Sequence, residues 1–402
     1  MSAPVAAGRG VATAAEAKAD RHVHEIDIVR ILTFACVIGV HTTSAVNVAS
    51  NPVSNGLEML LHFTRESFFF ITGFVLMHQY GSRRYDVGRF YRRRLLLVGG
   101  PYLAWSLIYA AWRPVVEPVS WTHQLTSLPY QLLIGSAWYH LYFLLVSLQI
   151  YLLFPLISRL VNATRRHHLA LLTISAVLQL AWLAELAYAP SFHGWAARMD
   201  AHEDIYVWNY QFWILLGAVT ACHRHRVLGW VARHRAVIVA LVLAGTALAL
   251  GWYCAGMLAG KDPITASTVL QPVMVPWSMA AVAGLVAIGT SWRERRRPGR
   301  LQAAVNWASD RSFGIYLVHP LLLSMLLGAA HHTVQRHVAN PQLTVLVYAF
   351  VVLAAVGVTE VLRRVPGSLI LTGRPKVAPR RPPTSEETLA PTTTTESVTP
   401  IG

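Results

Sequence analysis

Residues 25–44 read EIDIVRILTFACVIGVHTTS, and this stretch decides the fold class. Its apolar run continues from Ile26 to Val48, long enough at ~1.5 Å per residue to cross a hydrocarbon core of about 30 Å. Further runs follow at Leu57–Tyr80, Leu95–Trp112, Trp138–Val161, Leu169–Ala189, Val207–Cys222, Ala236–Leu258, Val269–Trp292, Phe313–Val334 and Leu343–Leu362. The sixth is short, and the eighth contains Pro272 and Pro276. Away from water, a helix satisfies its own backbone groups and an open sheet does not. The pattern predicts an all-α, polytopic membrane protein with about ten transmembrane helices.

Composition agrees. Of 402 residues, 54% are hydrophobic and only 13% charged, against about 25% charged in a soluble domain. The runs belong to one membrane domain, residues 25–364. Residues 1–24 and 365–402 read as disordered tails, the second rich in Pro and Thr with too few apolar residues for a core. Cys36, Cys222 and Cys254 show neither metal-site nor disulfide spacing, so no metal is expected.

The net charge of +15 is not spread in the manner of a nucleic-acid surface. Lys and Arg concentrate in alternate connections, as the positive-inside rule requires. One side holds the cluster from Arg83 to Arg94, then Arg159, Arg165 and Arg166, then Arg224–Arg235, then Arg293–Arg311, then Arg363–Arg381. The opposite connections hold one each, Arg113, Arg198, Lys261 and Arg336. This alternation predicts a cell-membrane protein with both termini cytoplasmic and with lipid, not nucleic acid, around it.

The first helix carries ionisable groups inside its apolar run. Arg30 and His41 are 11 residues apart, which is ~16 Å of rise and about three turns, so they share a face. Asp27 is spaced to pair with Arg30. Such groups are costly in lipid and face an interior or a cavity. An imidazole titrates near neutrality and suits removal of a proton from an attacking hydroxyl. The second helix carries Arg65 and Glu66, and Gly73 permits close helix packing. Glu66 is a candidate to orient His41 if the two helices adjoin. His140 and His319 are candidates for acceptor contact. The segment Pro190–Tyr210, with Trp195, Tyr206, Trp208, Asp200 and Asp204, could hold a sugar or mark a membrane interface.

Ile26-Asp27-Ile28-Val29-Arg30 with His41 resembles the opening of the acyltransferase 3 family of membrane acyltransferases. Four further segments agree. Arg65 with Phe68–Phe74 looks like its Phe-Phe-x-x-Ser-Gly-Phe segment, Thr72 replacing Ser. Arg92-Arg93-Arg94 before Pro101-Tyr102 resembles its basic cytoplasmic loop, with Leu97-Val98 where relatives often carry another arginine. His140–Leu144 is similar to its His-Leu-Trp-Phe-Leu helix, Tyr142 replacing Trp, and Ser312–Pro320 to its ninth-helix signature.

The resemblance, spanning Glu25 to Arg364, implies transfer of an acyl group, usually acetyl, from cytoplasmic acyl-coenzyme A to a hydroxyl of an exported or envelope carbohydrate or glycolipid. It implies a catalytic His41, with Arg30 on the acyl donor or orienting the site. Arg92, Arg93 and Arg94 lie on the side where the phosphates of coenzyme A are found, and Arg65, His140 and His319 are left for the acceptor. The rival reading is a proton-coupled transporter or flippase of lipid-linked sugars, with Arg30, His41 and Glu66 as its relay. A third is an exporter of this kind that performs no chemistry.

Overall fold

The computed structural model describes residues 23–81, 84–188, 202–329 and 341–377. α1 (His24–Val46) is followed by a broken span, α2 (Pro52–Leu61) and α3 (Phe63–Tyr80). α4 (Val87–Arg94), a π turn at Leu95–Gly99 and α5 (Gly100–Val116) form the next span. Then come α6 (Trp121–Ile134), α7 (Tyr142–Ala163), α8 (His168–Tyr188), α9 (Gln211–Cys222), α10 (Arg224–Arg233) and α11 (Arg235–Leu258). A short α12 (Pro263–Ala266) precedes α13 (Met274–Arg295), α14 (Arg300–Ala329), α15 (Pro341–Leu362) and α16 (Ser368–Thr372). No strand occurs among the described residues.

Among the described residues, 9 helical segments are long and apolar enough to cross a membrane, so the chain is an all-α multi-pass membrane protein. The sequence offered ten runs, and the difference lies at the sixth. There a 3₁₀ turn, Val207–Tyr210, leads into α9, which has only 12 residues, or ~18 Å of rise. The cause is polar. Ser175 and Gln179, midway along α8, are buried and bond the chain just where α9 starts. Gln179 Nε2 donates to the Asn209 carbonyl at 2.8 Å, and Ser175 Oγ to Gln211 Oε1 at 2.6 Å. Non-helical backbone at this depth survives because protein side chains satisfy it.

α9 packs tightly on α3. A Cβ at Gly73 would overlap the Ile214 carbonyl, and one at Gly217 the Phe70 carbonyl. The expected close packing at Gly73 is therefore met by a second glycine from the facing helix.

α1 is the hub, packed by α2, α3, α13, α14 and α15. Buried Glu25 at its start accepts from Arg224 at 3.2 Å and Arg293 at 3.0 Å, tying α1 to α10 and α13. Proline shapes α14. Pro320 has no N–H for the Tyr316 carbonyl four residues earlier, and His319 Nδ1 donates to that carbonyl instead, at 2.7 Å. The Tyr109 hydroxyl enters the same break, donating to Leu317 O at 2.9 Å and accepting from Leu321 N at 3.1 Å.

Residues 365–377, expected in a tail, are folded. Gly367 and Gly373, with φ of 84° and 64°, bracket α16, whose Ser368 and Thr372 are buried. Trp105 Nε1 donates to Leu371 O at 2.9 Å, and Val377 N to Arg363 O at 2.9 Å. Residues 365–377 are thus part of the membrane domain. Leu369-Ile370-Leu371 is the apolar signal within that Gly- and Pro-rich stretch.

Candidate active site

His41 lies one turn from the end of α1. It is partly exposed and lines a cavity of about 60 Å³, room for a few water-sized groups. His62, Arg65, Phe68, His140, Tyr142 and Tyr316 share that lining. The Tyr139 ring packs on His41 with centroids 4.6 Å apart.

Three imidazoles converge here from three distant stretches. His319 stacks on His41 at 5.4 Å between centroids and 25° between planes. His140 meets His319 edge-on at 5.8 Å. Each is positioned for a local reason. α6 ends at Gly135, with φ of 70°, a left-handed conformation that glycine adopts without cost. The chain then turns through His140 into α7. His319 is fixed by Pro320, because its Nδ1 must carry the hydrogen it gives to Tyr316 O. Its Nε2 is therefore a bare acceptor, buried without a partner. Both ring nitrogens of buried His140 are likewise unpartnered. No group of three His, Cys, Asp or Glu among the described residues is disposed to hold a metal ion.

Arg65 and Glu66 face different spaces, since neighbours on a helix point about 100° apart. Arg65 lines the His41 cavity and is held by Asp204 at 2.6 Å, with the Tyr210 ring 5.5 Å from its guanidinium. Glu66 lines a second, smaller cavity with Gln179, Asn209 and Trp213. Its carboxylate is 3.5 Å from Arg65 Nε. The structure thus corrects the expectation that Glu66 orients His41, because its partner is Arg65 and its cavity is another. Asp204 of the aromatic segment Pro190–Tyr210 is spent on Arg65. Tyr206 and Trp208 stack at 4.3 Å, while Trp195 and Asp200 lie outside the described residues, as do Arg83, Arg198 and Arg336.

Arg30 lies at the other end of α1, within the field of Asp27, Asp310, Tyr151 and Arg374. Asp27 accepts from Ser309 Oγ at 2.9 Å. Arg30 and His41 both look toward α14 and the α7 region, as a shared face requires, but they occupy separate sites ~16 Å apart. Between them is an aromatic layer. Phe34 packs on Phe68 at 4.5 Å and on Tyr316 at 5.3 Å, and Phe68 on Phe143 at 4.8 Å.

The loop arginines are not equivalent. Arg92 and Arg93 are exposed. Arg94 donates to Gln79 at 3.0 Å and lies 5.4, 5.8 and 5.5 Å from the rings of Tyr80, Phe90 and Tyr151. Sequence reasoning missed His62, although its position three residues before Arg65 places both on one face. It also missed Tyr139, Tyr316 and Arg374, which only tertiary packing brings to these sites.

The all-helical fold, with 9 segments among the described residues able to cross a membrane, defines a class, the multi-pass membrane proteins. The chain belongs to the acyltransferase 3 family, whose profile, described as an acyltransferase domain, matches residues 23–363. Similar relatives include the probable poly-beta-1,6-N-acetyl-D-glucosamine export proteins of Staphylococcus aureus strains MRSA252, MSSA476 and N315. Each is 22% identical over 312 residues, covering 76% of this chain and 83% of the relative. No solved structure matches the chain.

Proposed function

We propose that this protein moves a short acyl group, acetyl by preference, from cytoplasmic acyl-coenzyme A to a hydroxyl of an exported or envelope carbohydrate or glycolipid. The observation that carries this reading is His41, open to a small cavity beside two buried imidazoles with unpartnered nitrogens. In the direct route His41 takes the hydroxyl proton, the oxygen attacks the thioester carbonyl, and the C–S bond breaks. The proton then passes to the departing thiolate. In the carrier route an imidazole nitrogen of His41 holds the acyl group between two transfers. His140 and Arg65 line the same space and are assigned to the acceptor hydroxyl, with His319 behind His41. The donor's phosphates are assigned to Arg30 and to the arginines of α4. Its thioester arm must then pass the Phe34–Phe68–Tyr316 layer. A cavity of about 60 Å³ favours a group as small as acetyl over a long acyl chain.

The charge alternation supports cytoplasmic termini and an extracytoplasmic acceptor. Cysteine labelling of the loop at 190–206 in intact cells tests this, and labelling only after permeabilisation would reverse the orientation. The relatives' description as probable export proteins favours a second reading, export of a carbohydrate without acyl transfer. Purified protein that releases free coenzyme A from acetyl-coenzyme A and acetylates a carbohydrate, detected by mass spectrometry, supports transfer. Carbohydrate translocation into vesicles with no thioester consumption supports export.

A further inference from the structure

The folded C-terminal segment presents a guanidinium where the sequence suggested only a tail. α16 is anchored by Trp105, and Ser368 Oγ donates to the Arg374 carbonyl at 2.9 Å. Gly373 is pressed between the Phe313 ring and the π turn after Arg94, since a Cβ there would stand 3.0 Å from Leu97 O. These contacts fix Arg374, whose Nε lies 3.4 Å from Asp310 Oδ1 and whose charge acts on Arg30. Tyr151 links the same place to Arg94, whose guanidinium is 5.5 Å from that ring.

The local charge does not balance. Asp310 is shared by Arg311 at 3.2 Å, Arg363 at 2.6 Å and Arg374. Glu360 is shared by Arg311 at 2.8 Å and Arg364 at 3.0 Å. Arg30 and Arg94 add two more cations and Asp27, which acts on Arg30, one more anion, so that Arg30, Arg94, Arg311, Arg363, Arg364 and Arg374 still outnumber Asp27, Asp310 and Glu360; Arg94 Nε is buried with no hydrogen-bond partner. Guanidinium groups gathered in excess of carboxylates repel one another. They suit a ligand with several anionic oxygens, which the planar fork binds in pairs.

We infer that Arg30, Arg94 and Arg374 form one binding site for a phosphate-bearing ligand, completed by the docked C-terminal segment. On the reading proposed above, that ligand is the donor's coenzyme A; the same chemistry would also suit an anionic lipid headgroup. Arg374 is a binding residue for that ligand and stands apart from the chemistry at His41.

The test uses the full-length protein in phosphatidylcholine nanodiscs, with coenzyme A itself as the probe. Arg374→Gln should weaken coenzyme A binding about ten- to a hundredfold, the loss expected of a hydrogen bond between charged groups. Arg374→Lys should weaken it less, and Lys376→Gln, at an exposed neighbour, should leave it unchanged. Arg374 has a side chain 42% exposed, so these substitutions leave the packing in place, and Arg374→Lys decides the matter should the Gln variant unfold. A second arm replaces part of the lipid with phosphatidylglycerol. If Arg374→Gln removes a thermal stabilisation by that lipid but not coenzyme A binding, the site holds and its phosphate comes from lipid. Unchanged response to both ligands overturns the inference. Donor turnover separates this from the transferase reading. Arg374-dependent coenzyme A binding without acetyl transfer would sink that reading alone, whereas normal transfer with neither coenzyme A binding nor the lipid stabilisation dependent on Arg374 would sink this inference alone.

Discussion

At its Arg30 end, α1 meets a partly exposed network of guanidinium and carboxylate groups shared among α14, α15 and the C-terminal segment. At its His41 end it meets imidazoles, tyrosines and a small cavity that Arg65 also lines. An aromatic layer separates the two. One helix thus carries a guanidinium and an imidazole in two separate polar surroundings, and the proposed reading gives the first to an anionic donor and the second to proton transfer. A membrane enzyme with a donor on one face and an acceptor on the other requires that division.

The comparison breaks first at His41. His41→Gln keeps size and hydrogen bonding but cannot take the proton, so acetyl transfer should fall ~10²–10⁴-fold. Coenzyme A binding, measured by equilibrium dialysis, should stay within severalfold of wild type. Near-normal turnover would move the chemistry to His140 or His319. The reverse pattern is expected at the other end. Arg30→Gln should raise the donor KM about ten- to a hundredfold through loss of a charged contact, with kcat at saturating donor little altered. A collapse of kcat with unchanged KM would place Arg30 in the chemical step and merge the two sites.

What was legible in the sequence follows the same division between local and distant causes. Apolar runs and the arginine alternation are local properties, so the helical membrane class could be read directly. That the sixth run is short could be read as well, but not that its helix starts only at Gln211, because that depends on Ser175 and Gln179, two polar residues within the apolar run of α8. His41, His140 and His319 were each visible as candidates. Their convergence was not, since spacing along a chain does not say which helices adjoin. Glu66 shows the opposite error. Its placement away from Arg65's cavity was implied by the 100° step between helical neighbours. The fold of residues 365–377 was hidden by the Gly and Pro that form its turns.

Pro320 offers a finer test, because the two sites differ in how their groups are held. Pro320→Ala restores an N–H that competes with His319 Nδ1 for the Tyr316 carbonyl and displaces the Tyr109 hydroxyl. The His319 tautomer would no longer be fixed. Turnover should drop roughly tenfold, at the low end of what positioned proton-transfer groups contribute, with donor KM unchanged. Nitrogen NMR of labelled histidine should show mixed tautomers at His319 in the variant. An unaltered His319 signal would mean that its orientation is set by packing against His41 and Tyr316 rather than by the proline.

The smallest effects should come from the arginines of α4, and there the structure divides what the sequence treated as one cluster. Arg92 and Arg93 are exposed, so their attraction for donor phosphates is exercised through water and screened by salt. Replacing both with Gln should raise the donor KM only a few-fold at low ionic strength, as exposed charges contribute about 0–1 kcal/mol each. The difference from wild type should shrink towards nothing at high salt. Arg94 is packed among Tyr80, Phe90 and Tyr151, contacts that contribute about 0.5–2 kcal/mol each as desolvation increases. Arg94→Gln should therefore lower the thermal midpoint in detergent as well as donor affinity, and its effect on KM should persist at high salt. If all three substitutions shift KM alike and lose that shift together with added salt, α4 acts as a diffuse positive surface. The donor end of the protein would then be an electrostatic funnel rather than a built site.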